Sequence, residues 1–448
     1  MDRVHRKIPG ASHTYSKGDD QFPATAPRRI ARGSGYTVWD EDGRPFVDWT
    51  MGLASVSLGH AHVEVSAAAA SWLPMGSNFP RPSALEEKLA DAIRALAPGA
   101  RMVKFGKHGS DGTSAAVRLA RAFTRRDRII ACSSNPFYSV HDWWIGTTLA
   151  GAGVPEAVRS LTHTFPYGDL AALDALLETF AGEVAVVIIE PAATVPPALQ
   201  CRCRQCLTGV GNTGDCAQKR FWGEVARRAR AAGSLFVLDE NKTGFRMALP
   251  GAEQFYGLEA DMVCYGKAMA NGFSVSAIAG REELLDQGGI LQTERDRVFL
   301  LSTTHGGETH ALAAALKTIE VMRRDDVPGH MWRVGRSLMD AVNAEALASG
   351  MAETFVLEGY PCFPSLTVSA PAGQNGDALR TLLLQEMARH GVLFNFVAPA
   401  LAHDAAAVAQ TRDAARAAFS ACREAIAANR VAERLEGPVL RPVFRRRN

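Results

Sequence analysis

Apolar runs of strand length recur along the middle of this chain, and stretches with helical patterning separate them. Met102-Val-Lys-Phe105 and residues 128–132 read as short strands. Residues 84–96 and 114–123 keep their apolar side chains on one helical face. Residues 184–190 are almost wholly apolar, as a strand covered on both faces should be. Residues 234–240 and 261–267 repeat that pattern; the first ends in Asp239-Glu240 and the second in Lys267. This alternation predicts an α/β fold around a mostly parallel sheet. Upstream, residues 38–48 read as a hairpin turned at Asp42-Gly43. Beyond His310 come a helix over 311–322, a less regular region of helix and strand, and a final helix near 413–429. The expected organisation is an N-terminal segment, 1–60, packing with the small domain, then a large domain, 61–310, and a smaller α+β domain, 311–448.

Composition narrows the class. The chain has 448 residues, 47% hydrophobic and 21% charged, which is a globular profile too long for one core. Lys and Arg total 49 against 47 Asp and Glu, so nothing suggests a surface for nucleic acid. The start is polar and no apolar run is long enough to span a bilayer, so the expectation is a cytoplasmic protein that makes no membrane contact and keeps its thiols reduced.

The strand ends carry the candidate chemistry. In an open α/β sheet the carboxyl ends of adjacent strands open into the ligand crevice. An amine (Lys267) and an acid (Asp239) delivered there are what pyridoxal phosphate (PLP) requires. The lysine forms a Schiff base and moves protons; the acid keeps the pyridine nitrogen protonated. A lysine that ends a strand can equally be a solvated cap or an ion-pair partner. Gly109-Ser110-Asp111-Gly112-Thr113, between a strand and a helix, offers backbone N–H groups and a helix N-terminus to a phosphate; alone, it reads equally well as an ordinary capped turn. The aromatic loop Phe137-Tyr138, with His141 and Trp143-Trp144 after it, supplies flat rings able to stack on a cofactor or simply to pack.

In this order, glycine turn, aromatic loop, Glu190-Pro191, Asp239-Glu240-x-x-Thr-Gly-Phe-Arg246 and Lys267 resemble the class III PLP-dependent aminotransferases. The likeness is to the branch that contains glutamate-1-semialdehyde 2,1-aminomutase. It implies PLP-dependent fold type I and a homodimer with shared active sites. Its small-molecule substrates would be an amino donor and a carbonyl acceptor. By position it implies Lys267 as the Schiff-base lysine and Asp239 as the partner of the pyridine nitrogen. Gly109 and Ser110 would form the phosphate turn, Phe137 the ring-stacking residue, and Thr303 a contact to the phosphate of the neighbouring subunit. The chain departs from the pattern at His108, at Phe137 in place of tyrosine, and at Asn241-Lys242, where Lys242 adds a positive charge. Residues 391–403 are also shorter than the aminomutase segment and lack its glutamate. The reading is an aminotransferase acting on a polar aldehyde or ketone, such as a sugar-derived or natural-product intermediate. A 2,1-aminomutase and a non-catalytic scaffold on the same fold are the alternatives.

Cys201, Cys203, Cys206 and Cys216 crowd into what resembles an insertion, 198–218. Such spacing suits a tetrahedral thiolate site holding structural zinc; an iron–sulfur cluster or uncoordinated thiols are the other readings. Cys132, Cys264, Cys362 and Cys422 sit in apolar surroundings and read as packing residues.

Overall fold

The structure, a computed structural model, describes residues 4–97, 99–133, 137–192, 203, 206, 208–209, 216–291 and 293–447. Its described residues divide into two compact units. One gathers those up to Leu53, Leu58–Ala61 and those from Met331 onward; the other gathers Ala54–Ser57 and His62–His330. The larger unit therefore runs past residue 310, because the helix Thr309–Arg324 packs within it against Val63–Trp72 and Ala84–Leu96.

In the smaller unit, strands β1 (Ile30–Ser34), β2 (Thr37–Asp40) and β3 (Pro45–Asp48) form an antiparallel run. Asp40 shapes the turn between β2 and β3: its Oδ1 accepts the N–H groups of Asp42 (3.0 Å) and Arg44 (2.8 Å).

The larger unit is built on seven strands: β4 (Met102–Gly106), β5 (Arg128–Cys132), β6 (Thr162–Phe165), β7 (Val184–Ile189), β8 (Leu235–Glu240), β9 (Met262–Tyr265) and β10 (Ser276–Gly280). Their order across the sheet is β4-β10-β9-β8-β7-β5-β6, with every pairing parallel except the two that β10 makes. Ile129, Ala131, Val186, Ile188 and Val237 lie in the core with at most 2% exposure, so the central stretches of β5, β7 and β8 need apolar residues on both faces. The helix Gly109–Thr124 packs on β7, β9 and β10.

Back in the smaller unit, β11 (Phe355–Glu358) pairs with β12 (Ser365–Val368), and β13 (Val392–Leu393) adds in parallel to β3. The final helix is Ala405–Ala427, longer toward its N-terminus than the pattern suggested. Asp404 caps it by accepting the N–H groups of Ala406 and Ala407, in an alanine-rich stretch that shows little amphipathic contrast. Among the described residues, no helix is long and apolar enough to cross a membrane.

Candidate functional site

The parallel strands of the larger unit deliver their carboxyl ends to one edge of the sheet, and the candidate residues collect there. Register sets the level of each. Asp239 pairs with Cys264 and Glu240 with Tyr265 across β8 and β9, and Ile189 pairs with Leu238 across β7 and β8. Glu190 thus follows β7 level with Asp239, and Lys267 comes two residues past Tyr265, the partner of Glu240, beyond the end of β9.

Lys267 is exposed within a run, from Asp261 to Asn271, whose other members are all buried. Its φ of 22° is a backbone setting uncommon outside glycine, and it turns the chain out of β9. The residue as a whole is exposed, yet protein surrounds its amine closely enough for desolvation to hold its pKa below the ordinary lysine range. The charges of Asp239 and Glu190 work against that shift, and those of Lys242 and Arg246 reinforce it. Asp239 is 4% exposed. Burial pushes its carboxyl up to about 7, the Glu190 charge adds to the rise, and Lys267 and Asn241 pull it back.

Asn241 fixes that acid. Its backbone N–H and its side-chain Nδ2 both donate to Asp239 Oδ1, at 3.0 and 2.7 Å. The opposite face of the Asn241 amide lies so close to Gly109 and Gly266 that a Cβ on either would overlap it. One side chain thus wedges between the acid, the glycine turn and the residue before Lys267. At the turn itself, Asp111 Oδ2 accepts the N–H groups of Lys107 (2.8 Å) and His108 (2.9 Å). That carboxylate lets the helix begin at Gly109, inside the glycine turn rather than after it. Ser110 is buried, and its Oγ accepts the Val140 N–H (3.1 Å).

An ion pair reinforces the same edge. Lys242 Nζ stands 2.6 Å from Glu190 Oε1, with both side chains less than 10% exposed. The positive charge that the sequence placed near the site is therefore matched by a carboxylate from β7. The Glu190 N–H donates to the Tyr138 hydroxyl (3.2 Å), and burial holds that phenol well above its usual range. Arg246, fully buried, donates from Nη2 to the Ala54 carbonyl (3.1 Å). Glu190, Asn241, Lys242 and Arg246 stand in the sequence motif, but their spacing does not disclose these contacts. Their legible signal was polarity inside stretches otherwise bound for the core.

Of the remaining predicted residues, Phe137 is 41% exposed, beside the buried Tyr138. Thr303 lies in the larger unit, and its Oγ is buried without a hydrogen-bond partner among the described residues. The same holds for Ser276 Oγ and Asn241 Oδ1. Cys203, Cys206 and Cys216 come together; Cys201 lies outside the described residues.

These groups suit PLP: an exposed lysine, a buried acid held from its far side, a helix N-terminus for a phosphate and unsatisfied hydroxyls.

Known proteins point the same way. The family profile described as aminotransferase class-III matches residues 18–196 and 205–360. The glutamate-1-semialdehyde 2,1-aminomutase of Roseiflexus castenholzii is 32% identical over 337 residues, covering 73% of this chain and 72% of that protein. Among solved structures, the FumI protein of Sphingopyxis sp. MTA144, carrying PLP, superposes with a TM-score of 0.82 at 24% identity, over 95% of this chain and 96% of that one. An omega-transaminase from Sphaerobacter thermophilus gives 0.80 at 20%, over 94% and 96%. The two structural likenesses establish the PLP-dependent transferase fold of type I.

Proposed function

The chain belongs to the class III aminotransferases, and from that premise we propose that it moves an amino group onto a polar aldehyde or ketone, with Lys267 and Asp239 as its catalytic residues. The observation that carries this reading is the pairing of one accessible lysine with one buried, hydrogen-bonded acid at the carboxyl ends of adjacent parallel strands. Bound there, PLP supplies an aldehyde that condenses with amines and a protonated ring that draws electrons from the substrate carbon.

The chain's own residues do the rest. Lys267 Nζ would hold the cofactor, and as a free amine it would take up the proton of the substrate carbon that bears the nitrogen. Its lowered pKa keeps a larger fraction of the amine neutral, as a general base requires. Asp239 would hold the ring nitrogen, with Asn241 keeping its carboxylate in place. The N–H groups of Gly109 and Ser110 would hold the phosphate, aided by the helix dipole. Phe137 would stack on the ring. Thr303 would serve the phosphate of a neighbouring subunit, which makes the working unit a homodimer; its unsatisfied hydroxyl fits that role.

A 2,1-aminomutase is the second reading, favoured by the 32% identity to a protein of that name. Against it stands the short segment 391–403, without the glutamate of the aminomutase pattern.

The deciding experiment is visible absorption of the purified, PLP-loaded protein during addition of a panel of amino donors. Bleaching by one donor, reversed by a carbonyl acceptor with release of a new amine, is the expected result. Turnover of a single amino-aldehyde substrate without any second substrate would replace this reading with the aminomutase. Lys267→Ala should lower turnover by roughly 10²–10⁴-fold or more while leaving circular dichroism unchanged; a fully active variant would overturn Lys267 as the catalytic lysine.

A further inference from the structure

Cys203, Cys206 and Cys216 form a cluster for which amino-group transfer has no use. Their sulfurs all lie within 4.8 Å of one another, and those of Cys206 and Cys216 are 3.5 Å apart. Two thiolates at ~2.3 Å on one tetrahedral zinc are separated by roughly 3.8 Å, whereas a disulfide brings sulfurs to about 2.05 Å. The spacing therefore fits a shared ion and not a covalent bridge; none of the described cysteines forms a disulfide.

The Cys206 N–H donates to Cys203 Sγ (3.5 Å). Cys216 immediately precedes the helix Ala217–Ala231. Cys206 is 5% exposed and Cys216 is fully buried. Four turns of helix follow on, firmly held: Trp222 Nε1 donates to the Pro191 carbonyl at 2.6 Å, and Tyr167 packs against Phe221 and Trp222. Pro191 directly follows Glu190, so the cluster stands at the return end of the segment that leaves β7 beside the active-site ion pair.

We propose that Cys203, Cys206 and Cys216 bind one zinc ion as thiolates, and that the ion staples the segment after β7 to the start of the helix Ala217–Ala231. Three thiolates leave one position of the tetrahedron for a further ligand. The assignment does not rest on Cys201. The role is structural, and it stands whatever the substrate of the neighbouring site.

The test is elemental analysis of the PLP-loaded protein purified under reducing conditions, followed by titration with an organomercurial in the presence of a chromogenic zinc chelator. One zinc per chain, released as the thiols are consumed, is the expected result. Cobalt exchanged into the site should show intense thiolate-to-metal charge transfer, and Cys206→Ser should lose both the metal and that band while retaining the PLP absorption. A chain that carries no zinc after reconstitution, a brown iron-containing protein or a Cys206–Cys216 disulfide in the reduced preparation would each overturn the assignment. So would a Cys203→Ser/Cys206→Ser variant that keeps its full zinc content.

Discussion

Asn241 shows how much one side chain can settle. It touches the acid on one side and, on the other, crowds two glycines that bear no Cβ for this reason. A hydrogen bond to a charged group is worth about 1.5–3 kcal/mol, and a pKa unit about 1.4 kcal/mol. Asn241→Ala removes the Nδ2 donor and keeps the backbone N–H, so the Asp239 pKa should rise beyond about 7. In its proposed role beside PLP that carboxyl must be ionised. The acid limb of cofactor retention should therefore move upward by about one pH unit, read from the absorbance of the bound cofactor across a pH series. An unmoved limb would mean that the amide is only a spacer.

At the scale of elements, the Lys242–Glu190 pair ties the turn after β8 to the end of β7. Register places these ends side by side, and the buried ion pair joins them. Lys242→Met leaves Glu190 buried without its cation, which costs about 3–5 kcal/mol. Urea unfolding at neutral pH should show that loss. Glu190→Gln in the same chain should restore most of it, because two neutral groups of similar volume no longer bury a lone charge. If the single variant is as stable as the parent, the pair holds nothing together.

Across the whole molecule, the buried acids set how stability follows pH. Asp239 and Glu240 are each raised to about 7, chiefly by burial. An acid raised on folding favours the folded state while protonated, so its contribution is complete at low pH and is lost as pH climbs from about 4 to about 7. Paired carboxylates such as Asp40, Glu64 and Asp325 are lowered instead, and their contribution disappears only as pH falls below about 4. The PLP-free protein should thus be most stable on the acid side of neutrality. PLP, which requires Asp239 ionised and Lys267 neutral, should stabilise it more at pH ~8 than at pH ~5. Thermal unfolding of loaded and free protein at both values checks this; equal increments would remove Asp239 from the cofactor site. What the sequence determined by itself was local or periodic: the buried strands, their parallel alternation, and Lys267, Asp239 and the glycine turn as candidates at strand ends. Each is written in the spacing of neighbouring residues, and the roles proposed for them came with the family pattern. What the tertiary structure decided was everything that depends on which strands lie side by side. Glu190 and Lys242 are far apart in the chain, yet the β7–β8 pairing makes them one ion pair. Asn241 became a wedge because the helix Gly109–Thr124 and the residue before Lys267 close on it from two sides. Three cysteines became a cluster because Cys216, at the start of the helix Ala217–Ala231, lies beside Cys203 and Cys206. Register and packing bring distant residues to within a few ångströms, and no local pattern encodes that distance.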